Sequence, residues 1–233
     1  MSDRITIFIA GDSTAAKKMP DKRPETGWGE KFHHFFETSV LIENRAVNGR
    51  STKSFINEGL LADINNDIRP GDYLFIQFGH NDQKEDKERG THPYGDYQDN
   101  LHTFVHFARE AGATPVLLTS CTRRKFIDQQ IDCMSVGEFP KAMKFFAKQH
   151  AVPLLDIYTK SKKLFNSLGE HKSKDYFLHL APNESYNYPN GISDDTHFNE
   201  TGAEEIARLV AEALLESDLP IKYFLKNNKG ENV

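Results

Sequence analysis

Residues 5–14 have the sequence ITIFIAGDST, an apolar run of six residues followed by a glycine and three polar side chains. The run is rich in β-branched residues and ends at a turn signal, which is typical of a buried β-strand. Four more runs of this kind follow along the chain. The strands predicted from all five runs cover residues 5–10, 40–47, 73–78, 114–119 and 152–156.

Apolar residues at helical spacing fill the stretches between these strands. The helices predicted from that spacing cover residues 27–38, 51–67, 97–110, 139–150 and 201–216. Strands and helices alternate, and the strand runs are apolar throughout, which indicates a parallel sheet covered by helices on both faces. We therefore predict an α/β fold with five parallel strands.

The sequence shows no break in composition that would divide the chain. Linkers rich in Gly, Pro and Ser are absent between the predicted elements, so we expect residues 1–233 to form one domain. The polar end, 221–233, is expected to fray. Two long polar loops are predicted over 84–95 and 172–190. Four aromatic residues in the second loop suit sugar binding, a subunit contact or packing among themselves.

The composition is that of a soluble protein and excludes several classes of function. The 29 Lys and Arg against 34 Asp and Glu give a formal charge of −5, which disfavours a nucleic-acid or anionic-membrane partner. No run is long enough to span a membrane, and the run 5–10 is too short for the core of a signal peptide. Cys121 and Cys133 cannot form a disulfide framework. We expect a cytoplasmic enzyme or binding protein.

Polar and chemically reactive residues follow the predicted strands. In open α/β sheets, sites form at the carboxyl ends of the strands. The stretches in question are 11–14, 48–50, 79–82 and 120–125, and a further group, 194–197, precedes the last helix. The sequence therefore predicts a site at this edge of the sheet.

Ser13, Asp194 and His197 are suited to nucleophilic catalysis. A serine at a strand-to-helix turn can expose its hydroxyl, and a histidine can act as a general base that an acid orients. Each residue also has a structural interpretation: Ser13 could cap a helix, and His197 could be a surface histidine. Asp195 is the other nearby acid, with an exposed-loop or capping role as its alternative.

Gly49 and Asn81 could complete such a site. A developing oxyanion needs several donors that converge on one point, and backbone N–H groups and an Asn amide are suitable. Glycine also allows the backbone to approach closely, because it has no Cβ. In the alternative interpretation, Asn48-Gly49 is an ordinary turn and Asn81 bonds to the loop backbone.

These segments resemble the four conserved blocks of the GDSL/SGNH hydrolase superfamily, in order. The segments are Gly11-Asp12-Ser13-Thr14, Asn48-Gly49, Gly79-His80-Asn81-Asp82 and Asp194-x-x-His197, with Thr14 where Leu is more frequent. They extend from residue 11 to 197 and so cover nearly the whole chain. The stretch 44–51 and the segment Arg123-Arg124-x-Phe126 are similar, more narrowly, to rhamnogalacturonan acetylesterases.

The resemblance implies a flavodoxin-like three-layer α/β/α sandwich and a serine esterase mechanism. Ser13 would be the nucleophile, His197 the general base and Asp194, rather than Asp195, its orienting acid. The oxyanion hole would combine the N–H groups of Ser13 and Gly49 with the Asn81 side chain. The substrate would be an acetylated pectic oligosaccharide, and the intermediate would be acetyl-Ser13. The resemblance implies no metal and no organic cofactor.

Three further residues are candidates for substrate binding. Arg123 and Arg124 follow the fourth strand and could bind galacturonate carboxylates by paired hydrogen bonds, or could form a solvated surface pair. His80 could line the pocket or pack beneath the Asn81 loop. The sequence does not predict the oligomeric state.

Other functions remain open at this stage. A dinuclear metallophosphoesterase also places Asp, His and Asn after strands, although Gly79-His80-Asn81 reverses its Gly-Asn-His order, and Ser13 stands where Asp is needed. A binding module with an inactive site would be favoured only if Ser13 or His197 were missing. A lipase-like enzyme, a thioesterase or another esterase of short acyl groups is the main alternative among serine hydrolases.

Overall fold

The computed structural model describes residues 4–226. The strands in this range are β1 (Ile5–Gly11), β2 (Val40–Asn44), β3 (Tyr73–Gln77), β4 (Thr114–Leu118), β5 (Phe126–Ile127), β6 (Gln130–Ile131), β7 (Leu154–Leu155), β8 (Phe177–Leu180) and β9 (Ile192–Phe198). The main sheet has five parallel strands in the order β2-β1-β3-β4-β7, and two antiparallel hairpins, β5-β6 and β8-β9, stand apart from it.

Helices connect and cover these strands. The α-helices are α1 (Trp28–Lys31), α2 (Thr52–Asn57), α3 (Leu60–Ile64), α4 (Asp96–Glu110), α5 (Phe139–Gln149), α6 (Ile157–Lys172) and α7 (Glu200–Leu215). Short 3-10 helices occur at Pro20–Lys22, Phe32–Phe35, Ser173–Tyr176 and Pro220–Phe224. None of the helices in residues 4–226 combines the length and the apolar character needed to cross a bilayer.

The sheet divides the hydrophobic interior into two layers. Ile7 and Ile9 of β1 point to one face and pack with buried residues of α1, α6 and α7. Phe8 and Ala10 point to the opposite face and pack with α2, α3, α4 and α5. Helices therefore cover both faces, as an apolar strand on both sides requires. The predicted α/β sandwich with a five-stranded parallel sheet is confirmed.

Two predicted helices are interrupted in the structure. The prediction over 27–38 corresponds to α1, followed at once by the 3-10 helix Phe32–Phe35. The prediction over 51–67 corresponds to α2 and α3, which are separated by Gly59 at φ +79°. A left-handed residue cannot continue an α-helix, so the chain changes direction there.

The sequence prediction missed α6 and both hairpins. Residues 172–190 were expected to form a loop, but they include the 3-10 helix Ser173–Tyr176 and β8. β8 pairs with β9, which contains Asp194 and His197. Only residues 177–180 of the predicted loop therefore form a paired strand.

The segment 221–226 packs against the body of the protein. Ile221 is fully buried, Leu225 forms a bridge with Phe36, and the backbone N–H of Lys226 donates to the carbonyl of Phe35 at 2.9 Å. The expected fraying of 221–233 therefore does not hold for its first six residues, because two apolar side chains anchor them. Residues 227–233 lie outside the described range.

Candidate active site

The turn after β1 holds Ser13 in a fixed position. The backbone carbonyl of Asp12 accepts hydrogen bonds from the N–H groups of Ala15 and Ala16 at 3.1 and 3.0 Å. The Asp12 carboxylate accepts from both the N–H and the hydroxyl of Thr14, at 2.9 and 2.8 Å. Ser13 stands inside this turn and is 8% exposed, so only a small part of it faces solvent.

Ser13, His197 and Asp194 form a continuous hydrogen-bonded chain. The Ser13 hydroxyl lies 2.9 Å from Nε2 of His197, and Nδ1 of His197 lies 2.7 Å from Oδ2 of Asp194. The second carboxylate oxygen accepts from the backbone N–H groups of Thr196 and His197 at 2.7 and 2.9 Å. The arrangement can carry a proton from a serine hydroxyl to an imidazole whose far nitrogen is held by a carboxylate.

The environment of Asp194 keeps its carboxyl group ionised. Burial alone would raise its pKa, but the hydrogen bond and charge of His197 and two backbone N–H donors outweigh burial and lower the pKa to about 2. Asp194 is therefore a carboxylate at every pH at which an imidazole is neutral. Such a partner favours the tautomer with the proton on Nδ1, which leaves Nε2 free to accept one.

Gly49 and Asn81 lie on the two sides of the Ser13 turn. β1 is the neighbour of both β2 and β3 in the sheet, so the loops that follow these three strands meet at one edge. Gly49 adopts φ +78°, which a glycine tolerates without strain. The Asn81 amide donates to the carbonyl of Arg50 at 3.1 Å, which ties the third loop to the second.

Arg123 reaches the edge of this group. Its guanidinium is half-buried and donates to the hydroxyl of Thr196 and, at 3.3 Å, to the carbonyl of His80. Burial lowers the pKa of Arg123, and the charges of Asp12 and Asp194 oppose that effect. Arg123 thus places a positive charge next to β9 and the loop that contains Asn81.

The structure does not leave Arg124 available to a ligand. Its guanidinium is buried and pairs with Asp195 at 2.6 Å, while other N–H groups donate to the Ser173 hydroxyl at 3.1 Å and the Glu170 carbonyl at 2.6 Å. Asp195 also lies 2.8 Å from Nε2 of His179. Sequence reasoning placed Arg124 beside the site because it follows β4, but its side chain packs under β9 instead.

His80 belongs to a buried layer below the site. It is 3% exposed, and its Nδ1 lies 3.4 Å from the carboxylate of Asp12. Burial lowers the pKa of His80, although the nearby Asp12 charge opposes this. Asp82 is also buried, and burial raises its pKa to about 7 against the hydrogen bonds from Thr52. Of the two positions considered for His80, the structure shows the one beneath the Asn81 loop.

Lys18 is a polar neighbour of the site that sequence reasoning missed. Its side chain is fully buried, and Nζ bonds to the carbonyl of Ser13 at 2.5 Å and to the side chain of Asn48 at 2.7 Å. Lysine in a polar segment, here within 17–26, usually lies in solvent, so the sequence held no signal for this position.

The described residues contain no ready-made metal centre. Within 4–226, no three side chains of the His, Cys, Asp or Glu type are grouped as ligands of an ion would be. His80, Asn81 and Asp82 instead bond to, or lie against, groups of the protein itself. This part of the chain lacks the cluster of donors that a dinuclear phosphoesterase needs.

The chain is similar to esterases over nearly its whole length. It is 46% identical over 231 residues to the rhamnogalacturonan acetylesterase RhgT of Bacillus subtilis (strain 168), a match that covers 99% of this chain and 98% of that protein. It is 37% identical over 219 residues to the probable rhamnogalacturonan acetylesterase YesY of the same organism, covering 92% of this chain and 94% of YesY.

Solved structures share the fold. The crystal structure of protein YxiM from Bacillus subtilis matches with a TM-score of 0.77 at 24% identity, over 91% of this chain and 56% of that chain.

The model of the GDSL-like lipase/acylhydrolase family matches residues 9–205, a range that includes Ser13, Gly49, Asn81, Asp194 and His197. The resemblance seen in the sequence is thereby confirmed, and the chain belongs to the GDSL-like lipase/acylhydrolase family.

Proposed function

We propose that this protein is a serine esterase that removes O-acetyl groups from rhamnogalacturonan oligosaccharides. The hydrogen-bonded chain from Ser13 through His197 to Asp194, with links of 2.9 and 2.7 Å, is the observation that carries the proposal. The 46% identity to RhgT over both full lengths supports the acetylated pectic saccharide as the substrate.

The first half of the reaction transfers the acetyl group to the enzyme. His197 Nε2 accepts the proton of the Ser13 hydroxyl as Oγ attacks the carbonyl carbon of the acetyl ester. The N–H groups of Ser13 and Gly49 and the Asn81 amide stabilise the oxyanion that develops. The tetrahedral intermediate then collapses, the C–O bond to the sugar breaks, and His197 gives the proton to the departing sugar oxygen, which leaves as a hydroxyl.

The second half releases acetate. A water molecule gives a proton to His197 as it attacks the acetyl-Ser13 ester, and the same donors stabilise the second oxyanion. Collapse of this intermediate restores the Ser13 hydroxyl with the proton held by His197. Asp194 remains ionised throughout and stabilises the imidazolium that forms in each half.

In this proposal, Arg123 binds the substrate. Its half-buried guanidinium bonds to the hydroxyl of Thr196 in β9 and to the carbonyl of His80, and it can bind a galacturonate carboxylate. Arg124 and His80 support the site from below without touching substrate.

We further propose that the enzyme acts on short imported oligosaccharides in the cytoplasm, in keeping with two free cysteines. Finding the protein secreted from its cells would contradict this.

The decisive experiment compares acetate release from acetylated rhamnogalacturonan oligosaccharides with hydrolysis of a medium-chain acyl ester. Ser13→Ala should lower kcat on the saccharide by about 10⁴-fold or more, and a chelator should have no effect. Ser167→Ala, at an exposed serine on α6, is the matched control and should retain full activity.

Each of the other outcomes identifies a different error. Activity that survives Ser13→Ala but is lost with chelator would replace the serine mechanism with a metal-dependent one. Ser13-dependent cleavage of the acyl ester alone would retain the nucleophile and replace the pectic substrate with a lipid or thioester one.

A further inference from the structure

Lys18 has a buried ammonium whose three N–H groups all have acceptors. Its side chain is 0% exposed, and Nζ lies 2.5 Å from the carbonyl oxygen of Ser13, 2.7 Å from Oδ1 of Asn48 and 2.8 Å from the carboxylate of Glu25. An ammonium has three donors and no acceptor, so these contacts satisfy it completely. The three partners come from three different segments of the chain.

Two of these partners adjoin the proposed oxyanion donors. The carbonyl of Ser13 belongs to the nucleophile residue, and Asn48 directly precedes Gly49. Lys18 therefore forms a bridge between the turn after β1 and the turn after β2, on which the N–H groups of Ser13 and Gly49 are carried. Apart from this bridge, Asn48 is exposed.

The backbone of Lys18 is also hydrogen-bonded to the body of the protein. Its N–H donates to the carboxylate of Glu30 at 3.2 Å, and the same carboxylate accepts from the N–H of Gly27 at 3.1 Å and pairs with Arg23 at 2.5 Å. Because Glu30 lies in α1, the bridge is anchored to the sandwich rather than to a free loop.

Burial of the Lys18 ammonium is unfavourable in itself, because the charge loses its hydration. Removing an ammonium from water is strongly unfavourable unless a counter-charge and hydrogen bonds offset the loss. Glu25, whose side chain is 12% exposed, supplies the counter-charge here. Because Glu25 neutralises the ammonium at short range, the main effect of Lys18 on the site is geometric rather than a long-range field.

We propose that Lys18 is a positioning residue that fixes the separation between the Ser13 and Gly49 N–H donors of the oxyanion hole. The inference rests on the proposed function, since it assigns Lys18 a part in that reaction. Without the bridge, the turn at Asn48 and Gly49 is held only by contacts on either side of it, such as the bond from the Val47 N–H to the Gly11 carbonyl at 3.0 Å, and it can shift relative to Ser13. The donors then no longer converge on one point, and stabilisation of the tetrahedral intermediate is lost while ground-state substrate binding is kept.

The test is the kinetics of Lys18→Met, which retains the length of the side chain and removes the three donors. A displacement of about 1 Å at a reacting centre costs about 100-fold in rate, and loss of one oxyanion donor costs about 10²–10³. We expect kcat for acetyl ester hydrolysis to fall about 10- to 100-fold, with KM changed less than about threefold. Lys17→Met, the exposed neighbour, is the matched control and should leave both constants unchanged.

Asn48→Ala removes the hydrogen bond between Lys18 and Asn48 from its other side. It removes one acceptor at an exposed position and leaves the ion pair of Lys18 with Glu25 intact, so it tests the bridge even if Lys18→Met does not fold. We expect Asn48→Ala to lower kcat as well. The effects of the two substitutions on kcat should be less than additive, because both remove the same hydrogen bond between Lys18 and Asn48.

The outcomes separate this inference from the function on which it rests. If Ser13→Ala abolishes activity but Lys18→Met and Asn48→Ala keep kcat within twofold of wild type, the bridge has no part in the reaction and the inference fails alone. Fully additive losses in the double variant would also overturn it. If Ser13→Ala retains activity, the proposed function fails, whatever Lys18→Met does.

Discussion

Asp194 and Asp195 are neighbours in sequence, but their carboxylates contact different partners. Asp194 holds Nδ1 of His197 at 2.7 Å, while Asp195 pairs with Arg124 and His179. Adjacent residues on a strand point to opposite sides, so only one of two neighbouring acids can face the imidazole. The spacing of the sequence motif favoured Asp194, and the geometry supports the same choice.

This difference predicts unequal effects of the same substitution. Asp194→Asn should lower kcat by about 10³–10⁴-fold, because an amide no longer stabilises the correct tautomer or the imidazolium. Asp195→Asn retains an oxygen that can accept from Arg124 and should keep kcat within about threefold. Steady-state kinetics of the two variants on one acetyl ester measures the contrast, and equal losses would contradict it.

The low pKa of Asp194 also makes a prediction about stability. The folded-state pKa is about 2 and lies below the ordinary value of 3.8, so the carboxylate stabilises the fold above about pH 4. That contribution is lost as the pH falls from about 4 to 2. Urea unfolding from pH 5 to 2 should show a steeper loss in wild type than in Asp194→Asn; parallel curves would disprove the contribution.

Motif residues and supporting residues differ in how far a sequence can reveal them. Ser13 could be identified because it follows an apolar strand closely, in a segment that resembles the first GDSL/SGNH block. Lys18 could not, because Glu25 and Asn48 become its partners only after the chain has folded. Arg124 was misjudged for a related reason: its position after β4 is visible in the sequence, but the direction of its side chain is set by tertiary contacts.

Among the elements, the apolar strands were predictable and the β8–β9 hairpin was not. β1 is buried on both faces, and its sequence alone shows that burial. β9 is half-exposed and carries Asp194, Asp195 and His197, so its composition is that of a loop. Its pairing with β8, and not its own β-propensity, makes it a strand.

Asn199 connects this hairpin to α7. Its Oδ1 accepts from the N–H of Gly202 at 2.9 Å and caps the helix, while its amide donates to the carbonyls of Asp175 and Phe177 at 2.8 and 3.1 Å. One side chain thus fixes the start of α7, the end of β9 and the start of β8.

Asn199→Ala should therefore affect both stability and activity. Loss of a cap costs about 1 kcal/mol, and release of the hairpin should lower kcat, because His197 lies two residues away. Asp156→Ala is the matched control: it removes the cap of α6, where Oδ1 accepts from the N–H of Thr159 at 3.2 Å. Because Asp156 also pairs with Lys144 at 2.5 Å and accepts from the hydroxyls of Thr119 and Thr159, this variant should reduce the free energy of unfolding by at least as much and leave kcat unchanged. Equal kcat values for the two variants would contradict the role of Asn199.

At the scale of the whole molecule, the two apolar layers share one sheet. β1 contributes residues to both layers, so loss of packing in either layer exposes one face of the strand on which the other layer also packs. The sequence contained enough information for this architecture, because runs that are apolar on both faces require two covering layers. We propose that residues 1–233 unfold as one domain.

A single domain predicts a single unfolding transition. Trp28 is the only tryptophan of the chain and is fully buried in the layer of α1, α6 and α7, so its fluorescence reports on one layer. Far-ultraviolet circular dichroism reports on helices of both layers. The two signals should have the same midpoint in urea; separate midpoints would show that the layers unfold independently.

The hydrogen bond between Ser13 and His197 joins positions 184 residues apart. During synthesis the proposed nucleophile leaves the ribosome well before the proposed base, which lies in β9. A nascent or truncated chain that ends before β9 carries the serine turn without any group to accept its proton. In the proposed mechanism the serine therefore stays inactive until β9 has been synthesised and has folded, and a chain that terminates before β9 should not hydrolyse esters.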